Sequence, residues 1–223
     1  MPDHDFGLDW RDGNVPVSRR FGDRYFSTDG GLAETRQVFL AGNGLPSRFR
    51  PGFRIAELGF GTGLNMLAAL IAWRQTGIAG PLRYTSFEAF ALAAADVARA
   101  LQAFPEALAV AGPFLDQWAR GQRQISCDGL EADIIDGDAR DTLPLWQGAA
   151  DAWLLDGFSP AKNPDLRSDA LMAQVADHTM AGGSFATYTA AGSVRRALTT
   201  AGVAVARVAG FGQKRHMIKG TKP

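Results

Sequence analysis

Phe53-Arg54-Ile55-Ala56-Glu57-Leu58-Gly59-Phe60-Gly61-Thr62-Gly63-Leu64-Asn65 is the stretch whose reading decides the fold. A short apolar strand runs into three alternating glycines, and an amphipathic helix is expected to start near Leu64. Glycine turns the chain tightly and lets backbone approach a ligand, at the carboxyl edge of a parallel sheet. Dinucleotide-binding turns space their glycines as Gly-x-Gly-x-x-Gly and set a pyrophosphate on the helix N-terminus. Here Gly63 comes one residue early, and an acid, Glu57, precedes Gly59. A carboxylate there suits a cationic ligand better than a pyrophosphate. S-adenosylmethionine carries an amino group and a sulfonium, so it matches that charge. A dinucleotide, or a strand-helix turn that binds nothing, are the competing readings of these residues alone.

Outward from this turn the chain alternates strand and helix. After the strand at 53–58 and a helix at 63–75, Gly77 and Gly80-Pro81 interrupt the pattern. A second strand at 82–87 ends at Glu88. Helical segments follow at 91–103 and 105–119. The segments 123–127 and 131–136 read as a hairpin through Asp128-Gly129. Further strands are expected at 151–155 and 184–189, flanked by helices at 167–180 and 191–201. An edge hairpin of 203–208 and 214–219 turns through Gly210-Phe211-Gly212. Such alternation predicts a doubly wound, mostly parallel α/β sheet. Residues 1–50 read as an N-terminal β/α appendage packed on a core of 51–223. Within it, 8–10 and 15–17 form a hairpin, Tyr25-Phe26-Ser27 a third strand, and 32–40 a helix after Asp29-Gly30-Gly31.

The first four core strands end in acids: Glu57, Glu88, Asp138 and Asp156. Four in succession outline a ligand crevice at the carboxyl ends of the strands. Glu88 either accepts hydrogen bonds from two ribose hydroxyls or is an exposed strand-end charge. Asp138 either accepts from an adenine amino group or caps the helix beginning at Ala139. Asp156 opens a stiff loop, Asp156-Gly157-Phe158-Ser159-Pro160-Ala161-Lys162-Asn163-Pro164-Asp165. Its carboxylate and the loop carbonyls suit an amine acceptor, which must be aligned for in-line displacement and must lose a proton. Phe158 reads as loop packing or as a base-stacking ring, and Lys162 as a solvated charge or a substrate contact.

Bulk properties set limits. The 223 residues are 46% apolar, enough for one substantial core. No apolar run reaches membrane-spanning length, and the acidic start at Met1 to Asp5 is not read as a signal peptide. The lone Cys127 fits a reducing cytoplasm, and three scattered histidines argue against a metal site. Net charge is zero, yet 178–223 carries seven bases and no acid. That asymmetry hints at a polyanionic partner, unless folding mixes the charges over one surface.

The sequence resembles the MnmD-type methyltransferases of tRNA wobble-uridine modification, which also form the N-terminal half of MnmC proteins. The resemblance rests on Tyr25-Phe26-Ser27, on Gly31-Leu32-Ala33-Glu34-Thr35-Arg36 with Val38-Phe39-Leu40, and on Glu57 to Asn65. It continues through Asp156 to Asp165 and Gly210-Phe211-Gly212-Gln213-Lys214-Arg215-His216-Met217. It implies a class I S-adenosylmethionine-dependent methyltransferase, a Rossmann-like fold with a mostly parallel seven-stranded sheet. It implies methylation of the aminomethyl nitrogen of 5-aminomethyl-2-thiouridine in the tRNA anticodon loop. By motif, Asp156 is catalytic, and Glu57, Gly59, Phe60, Gly61, Gly63, Asn65, Glu88 and Asp138 hold the cofactor. By the same resemblance Tyr25, Glu34, Thr35 and Asn163 are cofactor or substrate contacts, and Lys214 and Arg215 are tRNA contacts or edge-strand charges; Phe158 joins the substrate contacts if it stacks on the base. Ala33 stands where the family pattern has a second acid, and 105–130 matches poorly. A fused or separate flavin-dependent oxidase is the implied partner. No second glycine-rich fingerprint occurs, so neither flavin nor oxidase activity is expected in this chain. An enzyme methylating an amine of a small molecule or protein is the competing reading.

Overall fold

The computed structural model describes residues 7–28 and 30–223. The start at Met1 to Asp5, and Asp29 of the Gly-Gly turn, lie outside the described residues. Leu8–Arg11 (β1) and Val15–Ser18 (β2) form the expected hairpin, and Asp23–Arg24 (β3) adds a third short strand. The sequence places that strand at Tyr25 to Ser27. It ends earlier because the next rings turn inward, Tyr25 onto Phe158 at 5.1 Å and Phe26 onto Phe104 at 4.7 Å. Gly31–Glu34 (α1) runs into a π-helical turn at Thr35–Leu40 and a 3-10 turn at Ala41–Asn43.

The core then follows the expected alternation. Arg54–Leu58 is β4, Leu64–Thr76 is α2 and Leu82–Glu88 is β5. Ala94–Leu101 (α3) and Pro105–Ala119 (α4) precede the hairpin of Gln124–Cys127 (β6) and Leu130–Asp136 (β7). Next come Ala139–Thr142 (α5), Ala150–Leu155 (β8), Asp169–Asp177 (α6) and Thr179–Thr187 (β9). Gly192–Thr200 (α7), Ala204–Ala209 (β10) and His216–Thr221 (β11) complete the chain. β11 starts two residues later than expected. Bonds from Lys214 N–H to the Phe211 carbonyl and from Gly210 N–H to the Arg215 carbonyl close a turn first.

The sheet has the order β10-β11-β9-β8-β4-β5-β7-β6. β9, β8, β4, β5 and β7 pair in parallel, whereas β11 and β6 run antiparallel to their neighbours. The sheet thus holds eight strands, not the seven that the resemblance implies. The eighth is β6, which the Asp128-Gly129 turn folds back onto β7. Chain order reverses on the two sides of β4, so its carboxyl end is the topological switch point where such sheets bind ligands.

Alternation along the strands sorts side chains onto two covered faces. Ile55, Ala152 and Leu154 join α2, α4 and the π-helical turn on one face. Ala56, Leu58, Trp153 and Leu155 join α5, α6 and α7 on the other. Glu57 follows Ala56 and therefore points to the α2 face. α2 is buried on nearly every side from Leu64 to Ile71, with Trp73. The amphipathic helix expected there is instead a central one, because α4 and the 31–49 segment cover its outer face. Val38, Phe39, Leu40, Leu45 and Phe49 from the N-terminal segment belong to this same core.

Asn43 fastens that segment to the sheet. Its amide donates to the carbonyls of Phe39 (2.8 Å) and Trp153 (3.1 Å), and its oxygen accepts from the Ser184 hydroxyl at 2.6 Å. Arg48 adds bonds to the carbonyls of Asn43 and Asp151 and to the Ser184 hydroxyl. No helix among the described residues is long and apolar enough to cross a membrane. Asn43→Ala removes three buried hydrogen bonds and leaves partners unpaired, so it should cost about 2–3 kcal/mol. Urea unfolding followed by circular dichroism checks this; an unchanged midpoint would show that the Asn43 bonds add nothing to the apolar packing of the segment.

Candidate active site

At the carboxyl end of β4 one amide joins two carboxyl groups. The Nδ2 of Asn65, in the first turn of α2, donates to Glu57 Oε1 at 2.8 Å and to Asp156 Oδ2 at 2.7 Å. Its oxygen accepts from the Thr35 hydroxyl at 2.7 Å. Ser86, which pairs with Glu57 in the β4–β5 register, donates to Glu57 Oε2 at 2.8 Å. The sequence reading set Glu57 against a cationic ligand. The structure buries it completely, behind the cavity lining, with both oxygens taken by protein donors. Glu57 therefore acts on a ligand only by fixing Asn65. Burial, and after it the charge of Asp156, hold the Glu57 carboxyl well above the usual carboxylate range.

Asp156 follows β8 directly and lines a cavity of ≈ 390 Å³, a size suited to a small-molecule ligand. Burial raises its pKa to about 6, opposed by the Asn65 amide, the Gly157 N–H and the Arg167 guanidinium. Glu57 is sealed off behind Asn65 and Ser86, and Asp156 is the carboxylate on the cavity wall.

Glycines make the wall between these strands. Gly59 has φ +81°, and a Cβ there would lie 3.0 Å from Gly157 Cα. The turn after β4 and the loop after β8 thus touch backbone to backbone. Gly61 N–H donates to Glu88 Oε2 at 2.9 Å, and Phe90 N–H to Oε1 at 2.7 Å. Burial raises the Glu88 pKa against these donors. Gly63 and Phe60 serve packing, since a Cβ on Gly63 would meet the rings of Phe60 and Phe114. The Phe60 ring is buried against Phe114 and Trp118. Asp138 lines the cavity and caps α5, accepting from Arg140 N–H at 2.9 Å and pairing with its guanidinium at 2.7 Å. Those Arg140 bonds lower its pKa.

The N-terminal segment forms the opposite wall. Tyr25 and Phe158 both line the cavity, and Phe158 stacks on Phe21 at 4.7 Å. Phe158 is thus packed against the N-terminal segment while lining the cavity. Lys162 bonds Asp23 at 3.2 Å and the Gly22 carbonyl, while Ser159 N–H donates to Asp23 at 2.9 Å. This clasp ties β3 to the 156–165 loop. Thr35, Asn163, Glu34 and Lys214 also line the cavity, the last two paired at 2.7 Å. Arg215 is exposed and lies outside it.

Four residues with roles here escaped the sequence reading. Ser86 was signalled only by its register opposite Glu57. Tyr188, the aromatic just past β9, donates its hydroxyl to the Gly157 carbonyl at 2.9 Å. Arg167 is buried and donates to the carbonyls of Leu155 (3.0 Å) and Asp156 (2.6 Å). Asp23 had no local signal, since its partners lie more than a hundred residues away.

These groups fit a cationic adenosyl donor. Glu88 has acceptor capacity left for a ribose diol, and acids, not free N–H groups, crowd the glycine turn. A pyrophosphate would need the Gly61 N–H that Glu88 already holds. Among the described residues no cluster of His, Cys, Asp or Glu is placed to hold a metal ion. The profile of a family described as S-adenosyl-L-methionine-dependent methyltransferase matches residues 105–223. The chain belongs to that family. The match includes the stretch 105–130, where the motif resemblance is poor. This methyltransferase is 45% identical over 224 residues to the tRNA 5-methylaminomethyl-2-thiouridine biosynthesis bifunctional protein MnmC of Caulobacter vibrioides, covering 97% of this chain and 38% of that protein. It is 46% identical over 225 residues to the MnmC of Pseudomonas aeruginosa, covering 96% and 34%. The methyltransferase thus spans little more than a third of the curated relatives it matches. Its fold is that of MNMC2 from Aquifex aeolicus, with a TM-score of 0.78 at 24% identity over 100% of this chain and 73% of that one.

Asp156 binds a proton more tightly folded than unfolded. Its contribution to stability is therefore full below about pH 4 and lost as pH rises through about 6. Asp156→Asn removes that loss, so it should be more stable than the parent by roughly 2 kcal/mol at pH 8. The two should converge near pH 4. Thermal melts at both pH values check this; equal melting temperatures at pH 8 would contradict a raised pKa.

Proposed function

We propose that the chain methylates the aminomethyl nitrogen of 5-aminomethyl-2-thiouridine at the tRNA wobble position, giving 5-methylaminomethyl-2-thiouridine. Two things support this reading: the two relatives at 45–46% identity across nearly all of this chain, and the setting of Asp156. The observation that carries it is an ionisable carboxylate on the cavity wall, held by Asn65 and titrating near pH 6.

S-adenosylmethionine, when bound, supplies a methyl group activated by its sulfonium. Gly59, Gly61, Asn65 and Glu88 are the residues proposed to hold it, with Asp138 closing the far wall. The chain's own task is to present a neutral amine. An aliphatic ammonium ordinarily holds its proton to about pH 10. An ordinary aspartate is a poor acceptor for that proton. Raising Asp156 to about 6 narrows the gap by about two units, and the partly apolar cavity weakens the ammonium further. Asp156 takes the proton, and the nitrogen lone pair is freed. The Tyr25–Phe158–Phe21 rings and the Lys162–Asp23 clasp limit water at the mouth and fix the loop carbonyls around the nitrogen.

Lys214 and Arg215 are proposed to meet the anticodon stem-loop, and the work is done in the cytoplasm. S-adenosylmethionine alone is proposed as cofactor, with neither metal nor flavin in this chain. A fused or separate flavin-dependent oxidase is proposed to deliver the amine.

Labelled S-adenosylmethionine and tRNA lacking this methyl group should give the labelled methylaminomethyl nucleoside on digestion. Label in a small amine but never in tRNA would favour the broader amine reading. Asp156→Ala should hold S-adenosylmethionine as well as the parent yet turn over at least about a hundredfold more slowly. With the parent, kcat/KM should fall about tenfold per pH unit below 6, because the base is then protonated. A profile that stays flat down to pH 5 would remove Asp156 as proton acceptor.

A further inference from the structure

The cavity already contains an ammonium group of the chain's own. Lys214 Nζ lies 2.7 Å from Glu34 Oε1 and 4.1 Å from the centre of the Tyr188 ring. A carboxylate and an aromatic face at these distances make a site for a primary ammonium. All three residues line the cavity. The carboxylate is the enclosed partner, since the Glu34 side chain is 14% exposed and that of Lys214 is 45% exposed. The receiving groups are thus built into the wall, and the cation reaches them on a flexible tether from the turn between β10 and β11.

We infer that Glu34 and the Tyr188 ring form a docking subsite for the primary ammonium of the acceptor, which Lys214 fills until the acceptor displaces it. This rests on the reading of the acceptor as an amine. The subsite adjoins the proton acceptor in two ways. Tyr188 donates to the Gly157 carbonyl next to Asp156, and Thr35, which follows Glu34, holds the Asn65 amide that holds Asp156. The charges of Glu34 and Asp156 are close enough to act on each other. An ammonium docked at Glu34 is therefore close to the base that deprotonates it. Displacing Lys214 is cheap, because a partly exposed ion pair contributes about 0–1 kcal/mol and the freed lysine regains water and rotamers. A neutral methylene or hydroxyl in place of the ammonium would leave Lys214 seated. The subsite thereby selects the amine form of an acceptor over its uncharged analogues.

Methylammonium chloride is the probe, titrated at constant ionic strength against sodium chloride and followed by nuclear magnetic resonance shifts. This reads the subsite without RNA. Lys214→Met should bind methylammonium roughly fivefold more tightly than the parent, the factor that an exposed ion pair's competition represents. Adding Glu34→Gln, which keeps the shape, should abolish the gain. Adding Tyr188→Phe should keep it and Tyr188→Leu should reduce it, because only the ring face is needed. Equal affinity in the parent and Lys214→Met, or a gain that survives Glu34→Gln, would overturn the subsite. tRNA methylation by the parent is scored separately. Methylammonium binding with no tRNA product keeps the subsite and removes the tRNA reading. tRNA product with a KM unchanged by Glu34→Gln keeps the tRNA reading and removes the subsite.

Discussion

One side-chain amide sets the geometry on which this site depends. The two N–H groups of Asn65 reach two carboxyl groups on adjacent parallel strands, Glu57 on β4 and Asp156 just past β8. That bridge requires β4 and β8 to be neighbours and α2 to begin at once after the glycine turn. It also requires the amide to face one way. The Thr35 hydroxyl donates to the amide oxygen, so a flipped Asn65 would set its oxygen against the carboxyl groups and its N–H groups against Thr35. The π-helical turn beginning at Thr35 brings that hydroxyl to α2. The N-terminal segment is thus part of the site and not a separate ornament on the core.

The same bridge gathers acids that would otherwise repel. Glu57, Glu88, Asp156 and Glu34 all lie at the carboxyl ends of the central strands or against them. Burial pushes the first three upward in pKa. The protein offsets this locally. Backbone N–H groups of Gly61 and Phe90 serve Glu88, the Arg167 guanidinium lies against the Asp156 carbonyl, and Lys214 faces Glu34. Such crowding costs stability, and it yields a carboxylate able to exchange a proton near neutral pH. Arg167 and Lys214 oppose the crowding differently. The first is buried and fixed by three backbone carbonyls, whereas the second is tethered from a turn and half exposed.

Much of this was legible because local patterns carry it. Alternating glycines after an apolar strand mark the turn, and acids at strand ends mark the crevice, since a strand's last residue has few places to point. Where long-range packing competed, the local reading failed. Tyr25-Phe26 has strand propensity, but its rings find Phe158 and Phe104 instead. α2 looked amphipathic because its outer cover comes from segments distant in sequence. Asp138 was ambiguous for a physical reason: the oxygens that would face a ligand also cap a helix, and Arg140 two residues on occupies them.

The sequence by itself determined the order of elements, the glycine turn, the four strand-end acids and the stiff loop at Asp156. These follow from side-chain period, glycine's backbone freedom and proline's restriction, all of which act within a few residues. Only the tertiary structure decided which acids face the cavity. It turned Glu57 away behind Asn65 and left Asp156 on the wall, because strand alternation and the placement of α2 fix where each carboxyl points. It also brought Asp23 to Lys162, and Lys214 to Glu34 and Tyr188, across more than a hundred residues in each ion pair. No local pattern encodes such meetings. They exist because pairing β11 with β9 and laying the N-terminal segment over α2 bring Asp23, Glu34 and Lys214 to one cavity.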